Sequence, residues 1–154
     1  MTIEIINGDL LDAFDRGEVL VIGHVVNCQG VMGSGIAKSI RDLYPQAYKA
    51  YVELCGEFTY THELLGVAQP IYLVNCFSVW NLFAQNRYGS PTRDLNYGAL
   101  GNCLKEMADD LDVDQPIGFP FKMGSDRAKG DWDIVLEMIE FYFKDHNVKI
   151  YKLE

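Results

Sequence analysis

The chain has 154 residues, 49% hydrophobic and 23% charged, a balance that fits one globular domain and excludes collagen-like, disordered and disulfide-scaffold classes. Thirteen Lys and Arg against 22 Asp and Glu give a formal charge of −9, which argues against binding long nucleic acid but leaves a compact ligand open. No apolar run approaches the roughly 18 residues of a membrane helix, and the opening MTIEIINGDL lacks a signal peptide's basic start, so a cytoplasmic protein with no membrane contact is expected.

Thr2 to Ile6 alternates like a half-buried strand, and the turn-formers Asn7-Gly8-Asp9 end it. Val19 to Val26 (VLVIGHVV) is the run expected of a strand buried on both faces of a central sheet. The loop from Asn27 to Gly35 carries Gly30, Gly33 and Gly35, after which Ile36, Ala37, Ile40 and Leu43 take helical spacing. Pro45 opens a further helix whose stripe, Ala47, Tyr48, Tyr51, Val52 and Cys55, reads as core packing. Leu64 to Phe77 predicts two strands interrupted at Pro70, and Asn81 to Arg93 a polar, aromatic loop. Leu95 to Leu111 is periodic as a helix, and Pro116 to Phe119 reads as a short strand. A second loop, Pro120 to Gly130, precedes a helix capped by Asp131, and Val148 to Leu153 alternates as a closing strand. Strands interleaved with helices imply a single α/β domain over 1–154, three layers α/β/α with a largely parallel sheet.

The four cysteines, Cys28, Cys55, Cys76 and Cys103, lie at least 21 residues apart and form no zinc spacing, so reduced thiols and no metal are expected. Cys28, Cys76 and Cys103 adjoin apolar segments and read as small core hydrophobes.

Ligands of open α/β sheets bind beyond the carboxyl ends of the strands, which singles out the loops after Asn27 and Phe119. Both lead into helices, and backbone N–H groups at a helix start attract phosphate without a cationic side chain. The familiar motifs fail: Ile36 stands where a P-loop needs lysine, and Gly33, Gly35 and Lys38 do not complete a dinucleotide fingerprint. Asp112-Val113-Asp114 precedes its strand, where an aspartyl nucleophile at a carboxyl end has no place.

Three ordered segments carry a family resemblance that spans nearly the whole chain. They are Asn7-Gly8-Asp9-Leu10; Val26-Asn27-Cys28-Gln29-Gly30 with Gly33-Ser34-Gly35-Ile36-Ala37; and Lys122-Met123-Gly124-Ser125 with Gly130-Asp131-Trp132. Together they resemble the macrodomain family, and the stretch from His24 to Cys55 is especially similar to the branch that includes yeast and phage ADP-ribose 1″-phosphate phosphatases. The resemblance implies a six- or seven-stranded mixed sheet between helices, and ADP-ribose or ADP-ribose 1″-phosphate as partner. It implies Asp9 and Leu10 at the adenine, Gly33, Ser34, Gly35, Ile36 and Ala37 on one side of the diphosphate, and Gly124, Ser125 and Asp126 on the other. Asn27 then matches the asparagine of the distal ribose, with Phe77, Ser78, Arg87 and Tyr88 flanking it.

The expected activity is metal- and cofactor-independent hydrolysis of a phosphate monoester by a monomer, with His24, Asn27 and Asp126 as catalytic candidates. A non-catalytic ADP-ribose-binding module, or removal of ADP-ribose or an acyl group from a carrier, would use the same pocket. Two departures stand out. Asp126 and Lys129 replace family glycines, and Cys76-Phe77-Ser78-Val79-Trp80 holds no lysine where lysine-dependent members present theirs, so covalent lysine chemistry is not expected.

Overall fold

The computed structural model describes residues 2–153. In chain order the elements are β1 (Thr2–Asn7), α1 (Leu10–Asp15), β2 (Val21–Asn27), α2 (Gly35–Leu43), α3 (Pro45–Gly56), a 3-10 turn (Thr61–Leu64), β3 (Ala68–Tyr72), β4 (Ser78–Gln85), α4 (Tyr97–Asp110), β5 (Ile117–Pro120), α5 (Trp132–Tyr142) and β6 (Asn147–Lys152). The strands form one mixed sheet in the order β1-β6-β5-β2-β4-β3, parallel except for β3, which runs antiparallel to β4. No helix among the described residues is long and apolar enough to cross a membrane.

Local chemistry sets the helix starts. The Asp9 carboxylate accepts from Leu11 N at 2.8 Å, Asn96 Oδ1 from Ala99 N at 2.9 Å, and Asp131 Oδ1 from Asp133 N at 2.9 Å, satisfying backbone donors that a helix start leaves open. Pro45 occupies the first turn of α3, where its missing N–H costs nothing. One sheet face is covered by α4 and α5, whose Leu100, Leu104, Met107, Val135 and Ile139 pack on Phe119 and Ile150. The other is covered by α1, α2 and α3, with Leu11, Phe14, Ile40 and Ala47 against Ile22 and Val79. The three-layer α/β/α arrangement with six strands follows from this two-sided burial.

The middle of the chain departs from expectation. Ser78–Gln85 is not a loop entrance but β4, buried along nearly its whole length between β2 and β3. Asn81, which reads as a loop residue, is held inside by long-range bonds: His24 Nε2–H donates to its Oδ1 at 2.7 Å, and its Nδ2 donates to Gln69 Oε1 at 3.1 Å and Ala47 O at 3.4 Å. His24, Asn81 and Gln69 lie opposite one another in register, a polar row across three strands. Pro70 lies inside β3, an edge strand that tolerates its missing donor, so 64–77 holds one strand instead of two. The run that follows is a turn, which leaves Cys76 exposed, whereas Cys28, Cys55 and Cys103 are buried.

Candidate functional site

The carboxyl ends of β1, β6, β5, β2 and β4 meet along one edge of the sheet and form the floor of a cavity of about 740 Å³. Four strand spacings separate its two ends, a span of about 19 Å at the usual ~4.8 Å per strand. Its charged lining is three cations, Lys122, Arg127 and Lys152, against two carboxylates, Asp9 and Asp126. A chain of net charge −9 therefore keeps a locally cationic cavity.

At the β1 and β6 end stand Asp9, Leu10, Phe121, Tyr151, Lys152 and Leu153. The Asp9 Oδ1 is spent on capping α1, which leaves its second oxygen to accept from a ligand. The Phe121 ring tilts against Trp132 with centroids 5.2 Å apart, and Lys152 Nζ lies 4.8 Å from its centroid.

The start of α2 lines the cavity as well. Ser34 is extended and makes no side-chain cap, so the first-turn N–H groups of Gly35, Ile36 and Ala37 keep the positive end of the helix open. Gly35 holds φ +61°, a conformation that an L residue enters at a cost of about 1–2 kcal/mol.

At the β2 and β4 end, Asn27 closes its own loop. Its Oδ1 accepts from Gln29 N at 2.9 Å and from the Tyr51 hydroxyl at 2.8 Å, and its Nδ2 donates to Val31 O at 2.9 Å. The segment 86–95 ties this loop to the second one. Cys28 N and Gln29 Nε2 both donate to Asn86 O, while Asp94 N and Leu95 N both donate to Ala128 O and Lys129 Nζ donates to Ser90 O at 2.6 Å. Lys129, a departure from the family pattern, thus serves as a clasp between loops. Gly130 closes the same junction, because a Cβ there would overlap Leu95 Cδ2 and lie 2.6 Å from Gly124 O. Gly130→Ala is expected to destabilise the fold by about 1–3 kcal/mol, read as a lower urea midpoint at unchanged slope.

The structure brings Asp9, Leu10, Asn27, Gly33, Ser34, Gly35, Ile36, Ala37, Gly124 and Asp126 to the cavity. His24 is not there. It is fully buried beneath α3, bonded to Asn81, with Nδ1 facing no polar partner among the described residues. Burial pulls its pKa down to about 4, so the ring is neutral, and the expected catalytic role does not fit this position.

The unfolded chain protonates this imidazole below about 6.5 and the folded chain only below about 4, so the stability it contributes is complete above 6.5 and is lost as pH falls to 4. The loss amounts to about 3 kcal/mol. Denaturant unfolding at pH 7 and pH 4 is expected to show this fall in the unaltered protein. His24→Gln, which keeps a donor for Asn81, is expected to show a smaller one by about that amount.

Phe77 and Ser78 also lie elsewhere. They sit at the amino end of β4, where Phe77 packs edge-on against Phe14 at 5.3 Å and Ser78 Oγ accepts from Trp80 Nε1 at 3.1 Å. The cavity-facing end of β4 is Gln85, followed by Asn86, Arg87 and Tyr88, again without lysine; Gln85 and Tyr88 line the cavity and Arg87 does not. Ser125 turns away as well, its hydroxyl 3.5 Å from Met123 O. Phe121, Tyr151 and Lys152 line the cavity from outside the three motif segments, and Lys122 from within the third; Phe121 directly follows the β5 strand end, as Asn27 ends β2.

No protein-family model matches the chain. It is 27% identical over 146 residues to an uncharacterised 17.5 kDa protein of phage T4, covering 92% of this chain and 90% of that one. It is 41% identical over 69 residues to an ADP-ribose 1″-phosphate phosphatase of Aspergillus oryzae, covering 45% of this chain and 33% of that protein. With the Saccharomyces cerevisiae phosphatase of the same name it shares 33% identity over 101 residues, 62% of this chain and 55% of that one. The match thus spans a third to about half of the length of these named phosphatases. Among solved structures, the macrodomain of Mycobacterium tuberculosis DarG superposes with a TM-score of 0.78 at 25% identity over 97% of both chains. Thermosipho africanus DarTG in complex with ADP-ribose superposes at 0.77 and 16% identity over 99% of this chain and 42% of that one.

The six-stranded mixed sheet, its two helical layers and the glycine-lined cavity at the strand ends are those of a macrodomain. Within that family the sequence lies near the ADP-ribose 1″-phosphate phosphatase branch.

Proposed function

We propose that this macrodomain binds ADP-ribose along the cavity and removes phosphate from ADP-ribose 1″-phosphate. The observation that carries the reading is that the open α2 start lines the same cavity as Asp9, Asn27 and the loop that presents Asp126 and Arg127. Adenine sits at the Asp9 end, where the free carboxylate oxygen accepts its amino group. The diphosphate takes the N–H groups of Gly35, Ile36 and Ala37, and the distal ribose lies at the Asn27 and Gln85 end. The named activities of the similar fungal phosphatases support the same substrate.

In the hydrolytic step a water oxygen bonds to phosphorus as the bond from phosphorus to the C1″ oxygen breaks. Asp126 takes the water's proton, the departing oxygen gains one from solvent, and Arg127 faces the charge on the phosphoryl oxygens. The binding-only reading keeps one observation in its favour, the removal of His24 from the cavity.

Incubating the pure protein with ADP-ribose 1″-phosphate in chelator and measuring phosphate separates the readings. Release above buffer is expected. No release, with calorimetric binding of ADP-ribose, would establish the binding module, and no binding of ADP-ribose would sink both.

A further inference from the structure

The sequence stripe on α3 reads as core packing, yet one member does more. Tyr51 is fully buried, its ring tilted against Phe83 with centroids 5.6 Å apart. Its hydroxyl lies 2.6 Å from Asn27 O, 2.8 Å from Asn27 Oδ1, and accepts from Val31 N at 3.1 Å. A phenol has a single proton, so that proton is shared between the two Asn27 oxygens. The orientation of the Asn27 amide is fixed independently, because Gln29 N must meet an oxygen and Val31 O must meet an N–H. Tyr51 thereby joins both ends of the loop 27–31 at one buried atom, across 24 and 20 residues of chain. With Oδ1 filled and one Nδ2 proton given to Val31 O, Asn27 keeps its second Nδ2 proton for the cavity that it lines.

We infer that the Tyr51 hydroxyl is a positioning residue for the distal end of the ligand: it holds Asn27 so that the remaining amide proton faces the second ribose. The inference rests on the ADP-ribose reading. Without the hydroxyl, Asn27 loses one of the two bonds that orient its Oδ1 and is held by Gln29 N and Val31 O alone, so its remaining amide proton is aimed less tightly. Contacts at the Asp9 and α2 parts of the cavity do not involve Tyr51.

The test compares two probes on Tyr51→Phe by calorimetry: ADP-ribose, which reaches the β2 and β4 end, and ADP, which lacks the second ribose. The expected result is an ADP-ribose affinity about tenfold weaker, the size of one neutral hydrogen bond, with ADP affinity unchanged. Equal weakening of both probes, or no change in either, would overturn the inference, since a general loss of structure does not discriminate between them. A measurement on the unaltered protein covers the case in which the variant does not fold. The buried Tyr51 hydroxyl proton, followed by NMR, is expected to shift on adding ADP-ribose and not on adding ADP; a resonance indifferent to both overturns the inference. Unaltered protein that binds ADP but not ADP-ribose overturns it too, and binding of neither removes the underlying reading along with it.

Discussion

Gly35→Glu is expected to weaken ADP-ribose binding at least a hundredfold while leaving the domain folded. The residue opens α2 where the diphosphate is placed, and a Cβ there meets no atom within 4 Å, so the new side chain enters the cavity without a clash. Two unit charges about 4 Å apart repel by about 4 kcal/mol at an effective dielectric of ~20, more than the roughly 2.7 kcal/mol that a hundredfold requires. The positive φ adds a folding cost of about 1–2 kcal/mol, which lowers the melting temperature by several degrees without unfolding the protein. Gly35→Ala isolates that conformational cost. It is expected to lose similar stability but far less affinity, so calorimetry on the pair separates charge from strain. Equal affinities for the two variants would move the diphosphate away from α2.

Asp126→Asn is expected to lower kcat for ADP-ribose 1″-phosphate by about a hundredfold or more while changing ADP-ribose affinity less than about threefold. The substitution preserves size and removes the basic carboxylate. Asp126 forms no ion pair among the described residues, and Lys129 is engaged with Ser90 O, so the Asp126 charge is not committed to holding the loop. A kcat within a few-fold of the unaltered protein would make Asp126 a solvated loop carboxylate. A matched loss of affinity and kcat would instead assign it to ground-state binding.

The features legible in the sequence are those whose cause is local. VLVIGHVV is a buried strand because its apolar, β-branched run is interrupted only by Gly23 and His24, and the glycines after Asn27 mark a strand-to-helix loop by their own chemistry. The cap at Asp131 is written in adjacent residues. What escaped is β4, because the burial of Asn81 depends on His24, 57 residues away, and on Gln69 in the edge strand. Reading the strand as ending at Phe77 then sent Phe77 and Ser78 to the wrong end of the sheet, and the same hidden row withdrew His24 from the cavity. The lining by Tyr151 and Lys152 was equally hidden, since it arises only when β6 inserts between β1 and β5. Tyr51 fits its core stripe correctly; its hydroxyl chemistry depends on where the loop from Asn27 returns.

The most direct test of ADP-ribose binding in this orientation is a crystal structure of the protein with the ligand bound. The adenine amino group is expected on Asp9, the diphosphate on the N–H groups of residues 35–37, and the distal ribose within hydrogen-bond reach of Asn27 Nδ2. A reversed ligand, with adenine at the Gln85 end, or a diphosphate seated away from α2, would contradict it.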